Sequence, residues 1–347
     1  MRILAVLTVR NEAAFLLEWL AHHRAVGITD FLVFSNNCQD GTDEMLDQLA
    51  ELGWLTHVRN DGPYDKRGIQ FTALKSAEKH PLVKSADWIL PLDVDEFVNV
   101  HVGAHTLEDL IDALPDADAI TLTWRLFGNA GQIEFDATLV TETFTKAAPA
   151  VLHWPWRASM FKTLYRNNGS YAKLGVHRPR QPDSNADIRW FDGNGRPLNN
   201  QFRNKRIFSD FGQDNYGLVQ LNHYPLGAME SFIVKSDRGR AVHNDDKLAM
   251  DYWVERNFND VEDTSLQHIR PTSNPILSAL MNDPTLKVSH NKAVAWRHDR
   301  FQTLMLDETN RALFGRLLLT PSTHSISREK AEIIRSHRLR ELTQGQD

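Results

Sequence analysis

Apolar positions in the first hundred residues follow two rhythms in turn. Ile3 to Val9 is an apolar, β-branched run without polar alternation, which predicts a strand covered on both faces. Phe15, Leu16, Trp19, Leu20, His23 and Val26 then recur at helical spacing, with Asn11 placed to cap that helix and Gly27 to stop it. The unit repeats: Phe31 to Phe34 reads as a strand, and Gly41-Thr42-Asp43 opens a helix carrying Met45, Leu46, Leu49 and Leu52 and closed by Gly53. Trp54 to Val58 makes a third strand, residues 67–79 a helix with Ile69, Ala73, Leu74 and Ala77 on one side, and Trp88 to Leu92 a fourth strand. Strands separated by helices predict an α/β fold built on a doubly wound, mostly parallel sheet.

Further along, Thr106 to Leu114 reads as a helix and Ala119 to Leu126 as another strand. Residues 178–216 are rich in Asn, Asp, Gly, Pro and Arg, and Asp192-Gly193-Asn194-Gly195 is strong turn chemistry, so a long surface excursion is expected there. Leu218 to Leu221 resumes as a strand ending at Asn222-His223-Tyr224, and the remainder reads as helical. The pattern divides the chain into an α/β domain over residues 1–240 and a mainly helical C-terminal extension over 241–347, with no internal repeat.

Of the 347 residues, 41% are hydrophobic and 24% charged, the balance of an ordinary globular protein. Lys plus Arg (39) against Asp plus Glu (45) leaves a net charge of −6, which argues against a nucleic-acid partner. A single cysteine, Cys38, excludes an internal disulfide and fits a reducing compartment. No apolar stretch approaches the roughly 20 residues that cross a bilayer, so the expected location is cytoplasmic, with at most peripheral contact at the inner face of the membrane. Ser327 to Leu342, with its mixed Lys, Arg and Glu, reads as a solvated helix.

In doubly wound sheets, ligands gather beyond the carboxyl ends of the strands, and three polar clusters fall there. Asp93-Val94-Asp95-Glu96-Phe97 follows the fourth strand. Three neighbouring carboxylates need a compensating cation or basic partner, and Mg²⁺ or Mn²⁺ held by one or two carboxylates completes its shell with waters and substrate phosphates. An Asp-x-Asp alone also serves as a cap or turn; its place after a buried strand favours the metal–phosphate reading. Thr8-Val9-Arg10-Asn11-Glu12 opens the first helix, whose free N–H groups and Arg10 suit a phosphate. Ser35 to Thr42 follows the second strand, with Asp40 able to accept from a ribose or a base. Cys38 reads as a small packed residue rather than a nucleophile.

In that order these clusters, with Arg67-Gly68-Ile69-Gln70, resemble family 2 glycosyltransferases of the GT-A fold, and more narrowly a branch with Asp-x-Asp-Glu-Phe. The resemblance extends more loosely through Trp124-Arg125-Leu126-Phe127-Gly128, Asn222-His223-Tyr224 and Lys235-Ser236-Asp237-Arg238-Gly239. It implies a metal-dependent transfer of a sugar from a nucleotide-diphosphate donor to a saccharide, lipid-linked or protein acceptor. By that likeness Thr8, Val9, Arg10, Glu12, Asp40, Arg67, Gln70, Asp93, Lys235 and Arg238 hold the donor. Asp93, Asp95 and His223 hold Mn²⁺ or Mg²⁺, and Trp124 and Gly128 meet the acceptor. His177 is the other histidine considered as a ligand. Cleaving a sugar–phosphate bond builds negative charge on the departing diphosphate, which a metal and cations stabilise.

A direct displacement also needs a general base for the acceptor hydroxyl. Glu134, Asp136, Glu142, Asp237 and Asp263 are all candidates for it, and the residues expected to be catalytic are Asp95, Glu134 and Asp237. The Gln-x-x-Arg-Trp of processive synthases is not evident, which leaves the stereochemistry open. Rival readings are a non-catalytic nucleotide-sugar or carbohydrate-binding protein and a sugar nucleotidyltransferase. A dinucleotide oxidoreductase lacks its Gly-x-Gly-x-x-Gly after the first strand.

Overall fold

A computed structural model describes residues 1–64, 68–238 and 248–344, with side chains as far as His337. Its centre is a ten-stranded sheet made of β1 (Ile3–Val9), β2 (Asp30–Ser35), β3 (Thr56–Arg59), β4 (Trp88–Pro91), β5 (Glu96–Val100), β6 (Ala119–Leu126), β7 (Phe161–Arg166), β8 (Trp190–Phe191), β9 (Pro197–Leu198) and β10 (Val219–His223). The order is β9-β8-β6-β7-β4-β1-β2-β3, with β10 pairing both β6 and β5. β1 lies between β2 and β4, parallel to both, with Val9 opposite Ser35 and Ile3 opposite Trp88. β7 runs antiparallel between β4 and β6, so β6 points the same way as β1, and β10 pairs with β6 in parallel. The carboxyl ends of β1, β2, β4, β6 and β10 therefore share one edge of the sheet with the first residues of β7. The mostly parallel α/β sheet expected from the sequence is what the chain forms.

The unbroken apolar run of β1 follows from its central position. Ile3, Ala5, Leu7 and Val9 enter the core on one face, and Leu4 and Val6 the core on the other. Helices α1 (Ala13–Ala25), α2 (Thr42–Glu51) and α4 (Leu107–Ala113) cover the first face, and α3 (Ile69–Ala77) covers the second. α4 is closed by a capping box in which Thr106 and Asp109 bond reciprocally.

Two stretches depart from the sequence reading. Residues 178–216 are not only a surface excursion: Trp190–Phe191 adds β8 beside β6, and Trp190 and Phe202 are buried in the second core. Together with Ile188, these apolar side chains anchor a segment rich in turn formers. Beyond β10 come α5 (Met229–Asp237), α6 (Arg270–Asn282), α7 (Pro284–Leu304), α8 (Glu308–Leu319) and α9 (Arg328–Gln344). Leu266, Ile269, Leu280, Leu286 and Ala293 from this region belong to the same core as β1 and α1, and Phe232 of α5 packs with Trp253, Phe301 and Leu317. The expected boundary at residue 240 falls in 239–247, outside the described residues. Among those described, no helix is long and apolar enough to cross a membrane.

Candidate active site

The shared edge of the sheet opens into a cleft of about 1080 Å³. Thr8, Val9, Arg10 and Glu12 enter it from the end of β1, Asn36 from β2, Asp93 and Asp95 from β4, Trp124 from β6, His223 from β10, Gln70 from α3, and Lys235 and Arg238 from α5 and the residue after it.

The floor is locked by its loops. Asn11 takes a left-handed backbone (φ 55°), and its Oδ1 accepts from the Gln39 amide at 2.7 Å rather than capping its own helix. α1 is capped from the loop after β2. Thr42 Oγ1 accepts from the Glu12 and Ala13 amides at 2.9 and 3.0 Å, and Asp40 Oδ2 accepts from Ala13 at 3.1 Å. Asp40 Oδ1 accepts from the Thr42 amide and hydroxyl at 2.9 and 2.6 Å. Asp40, expected at the nucleoside, is thus buried and spent on joining two strand-end loops.

The acidic segment turns sharply after β4, so that Asp93 and Asp95 face the cleft while Glu96 turns inward and is fully buried. Each cleft carboxylate rests on a lysine. Lys162 Nζ, at the start of β7, lies 2.8 Å from Asp93 Oδ2 and 3.6 Å from Glu96 Oε2. Lys235 Nζ donates to Asp95 Oδ2 at 2.6 Å and to the Pro225 carbonyl at 2.8 Å. Glu96 also accepts from Trp124 Nε1 at 2.7 Å and from the Asp93 amide at 2.9 Å, and Gln70 Nε2 stands 3.4 Å from Asp93 Oδ1. Burial works to raise the Asp95 pKa, but Lys235 and then His223 outweigh it and hold the carboxyl well below its ordinary value. Glu96 goes the other way. Burial outweighs Lys162, and Asp93 and Asp95 add to it, pushing its carboxyl well up.

His223 Nε2 lies 3.7 Å from Asp95 Oδ2, its ring packs 4.2 Å from that of Trp124, and its Nδ1 is buried with no hydrogen-bond partner among the described residues. Burial lowers its pKa, so the imidazole is neutral with a lone pair to offer. At the other wall Arg10 and Arg238 clasp each other. Arg10 Nη1 donates to the Arg238 carbonyl at 2.9 Å, Arg238 Nη1 to the Arg10 carbonyl at 2.5 Å, and Arg238 also pairs with Glu12. The cleft thus gathers two acids, each resting on a lysine, opposite two arginines.

The family model for glycosyltransferase family 92 matches residues 5–188, more than half of the chain, covering most of β1 and the whole of β2 to β7. The chain belongs to glycosyltransferase family 92. Among its relatives, a family 92 protein of Oryza sativa subsp. japonica is 27% identical over 143 residues, covering 40% of this chain and 23% of that protein. A family 92 protein of Ricinus communis is also 27% identical over 143 residues, covering 40% and 25%. The matched part thus spans about a quarter of the length of either relative. Among solved structures, Staphylococcus aureus TarS 1-349 in complex with UDP is 13% identical, with 48% of this chain and 47% of that chain covered and a TM-score of 0.31. Glucosyl-3-phosphoglycerate synthase from Mycobacterium tuberculosis in complex with Mn²⁺ and UDP is 17% identical, with 36% and 44% covered and a TM-score of 0.25. At these scores neither likeness bears on fold or function. The resemblance read from the sequence therefore holds at the level of a glycosyltransferase, and the family matched is 92; the family 2 branch rests on its motifs alone.

Not every residue expected at the site reaches it. Asp237 lies outside the cleft lining, with Oδ2 2.5 Å from Arg300 Nη2 of α7. At Gly128 an added Cβ would meet the Phe258 carbonyl at 2.3 Å, so that glycine allows two backbones to approach and does not line either large cleft. Trp124 stands in the cleft with Asp93 and Asp95. Arg67 lies outside the described residues. His177 Nδ1 donates to the carbonyl of Phe161, the first residue of β7, at 3.0 Å, and the residue lines neither large cleft. Lys162, which pairs with Asp93, is not among the residues the sequence reading singles out; a lone charge between Phe161 and Thr163 in the strand Phe161–Arg166 is the signal that could have found it.

A second cleft, of about 930 Å³, adjoins the first and shares Glu12, Val94, Asp95, Lys235 and Arg238 with it. Glu134 and Asp136 lie along it, exposed.

Proposed function

We propose that the chain transfers a glycosyl group from a nucleotide-diphosphate sugar, bound in the first cleft, to an acceptor hydroxyl presented from the second. The observation that carries this reading is the common wall. Asp95, Lys235, Arg238 and Glu12 face both clefts, so a donor and an acceptor would meet at the only charged partition between them among the described residues.

Lys235 and Arg238, with Arg10 behind them, would face the diphosphate and stabilise the charge that grows on it as the sugar–phosphate bond breaks. The acceptor oxygen would form its bond to the anomeric carbon as that bond breaks, the electron pair leaving with the nucleoside diphosphate. Glu134, on the second cleft, would take the hydroxyl proton. Among the described residues no three His, Cys, Asp or Glu side chains converge on one point, so a Mn²⁺ or Mg²⁺ ion would be held by the carboxylates of Asp93 and Asp95, with the neutral imidazole of His223 near Asp95 and substrate phosphate and water completing the shell. A divalent ion there would supply further charge stabilisation to the leaving diphosphate.

The test is release of nucleoside diphosphate from a panel of nucleotide sugars, with and without Mn²⁺. Donor turnover is expected with one nucleotide series, abolished by chelator and reduced at least a hundredfold in Asp95→Asn. Undiminished turnover in Asp95→Asn would remove Asp95 from the mechanism, and metal-independent turnover would assign charge stabilisation to Lys235 and Arg238 alone.

A further inference from the structure

The second cleft contains a cation that the first does not explain. Arg297, on α7, lines it and is only 6% exposed. Its guanidinium lies over the rings of Phe15 and Phe135, 4.6 and 5.3 Å from their centroids. Its hydrogen bonds are long and go to neutral oxygens: Nε to Ser231 Oγ and Nη2 to the Ser231 carbonyl, both at 3.3 Å. Lys162, Lys235 and Arg238 each rest on a carboxylate. Arg297 rests on none among the described residues, and the nearby Glu12 is already paired with Arg238.

A buried guanidinium without an anion is costly, and the cost is retained where a ligand supplies the missing charge. Burial lowers the Arg297 pKa to about 10, which leaves it charged at neutral pH. One side of the cleft is apolar, walled by Phe15, Phe135, Phe144 and Leu226; Glu12, Asp95, Lys235 and Arg238 form the wall shared with the first cleft, and the exposed Glu134 and Asp136 also line it. A cation at the base of an aromatic wall fits a ligand with an anionic group next to an apolar ring or chain, a carboxylate or a phosphate meeting the fork of the guanidinium.

We propose that the second cleft selects acceptors by an anionic group bound at Arg297, with the adjoining apolar part of the acceptor against Phe15 and Phe135. This rests on reading the second cleft as the acceptor side of a transferase, but the binding site itself does not depend on turnover.

The experiment titrates the full chain with phenyl phosphate, phenylacetate, benzyl alcohol and inorganic phosphate by calorimetry or ligand-observed NMR, and in parallel with UDP and GDP. One of the aromatic anions is expected to bind at least tenfold tighter than benzyl alcohol and inorganic phosphate, and which one distinguishes a phosphate from a carboxylate. Arg297→Met should weaken that probe at least tenfold and Arg297→Lys less than that, with nucleoside diphosphate binding unchanged in both. Phe135→Ala should weaken the aromatic anions and leave inorganic phosphate as it was, which keeps the test decisive if Arg297→Met does not fold. Equal binding of benzyl alcohol, insensitivity to Arg297→Met, or displacement of the probe by UDP or GDP would overturn the proposal. Failure of UDP and GDP to bind while the aromatic anion does would count against the donor reading and leave this site standing.

Discussion

Lys162 shows how a buried charge is held at this site. Its ammonium sits 1% exposed between Asp93 and Glu96, and burial, which would lower its pKa, is outweighed by those two carboxylates, which raise it. Lys162→Met keeps the length of the side chain and removes the charge, leaving Asp93 without its cation beside a buried Glu96 whose carboxyl is already pushed well up. Breaking a buried pair from one side costs about 3–5 kcal/mol, so urea unfolding of this variant should show a loss of that order. A loss below about 1 kcal/mol would mean that water reaches the pair. Lys235→Met is expected to behave differently, because Asp95 opens to the cleft. Stability should fall less, and donor affinity more. The Asp95–Lys235 pair also has a pH signature. A carboxyl held below its ordinary value of 3.8 contributes stability that is complete above that value and is lost as the pH falls towards its lower folded value.

At the scale of elements, α1 joins the site to the core. Trp19 Nε1 donates to the Asp93 and Glu96 carbonyls at 3.1 and 2.9 Å, fixing the acidic turn from below. Trp19→Phe keeps most of the ring and removes the donor, so about 1–3 kcal/mol of stability should be lost, together with donor affinity. One turn further, His22 Nε2 donates to the Val98 carbonyl at 2.7 Å, and burial lowers its pKa from 6.5 to about 4. The unfolded chain takes this proton near 6.5 and the folded chain near 4, so stability falls as the pH is lowered through that window. Each such proton is worth about 1.4 kcal/mol per pH unit. His23, buried beside it, acts in the same direction. His22→Gln should reduce the acid slope of the urea midpoint by one proton, and an unchanged slope would mean that His22 is protonated in the fold.

The same scale shows what was legible in the sequence. β1, α1, β2, α2 and β4 were readable because each has one dominant periodicity and a glycine or polar stop. β5 was hidden because its first residue, Glu96, belongs to the acidic motif, and β8 because two residues carry no period. Asp93, Asp95, Lys235 and His223 were legible as strand-end or helix residues in a known order. Lys162 and Arg297 were not, since each acquires its meaning from a partner, or the lack of one, more than sixty residues away.

For the whole molecule the question is whether the helices after β10 form an appendage or a part of the fold. Their packing argues for the second. Leu280, Leu286 and Ala293 are at most 1% exposed and lie in the core that holds β1 and α1, and Ser289 of α7 donates to Gln48 of α2 at 2.9 Å. Arg297 of the same helix lines the second cleft. Ending the chain at residue 265 would uncover the outer face of α1 and take away one wall of that cleft. Burying a Leu or Ile side chain contributes about 1.5–3 kcal/mol, and Leu266, Ile269, Leu280 and Leu286 would all lose their places. Their sum is comparable to the net stability of a typical domain, about 5–15 kcal/mol. Accordingly, residues 1–265 alone should fail to give a cooperative transition, and the full chain should unfold in one, with tryptophan fluorescence and far-ultraviolet circular dichroism coinciding. Two separated transitions, or a folded 1–265 fragment that binds a nucleoside diphosphate, would show that the helices only decorate a self-sufficient α/β domain.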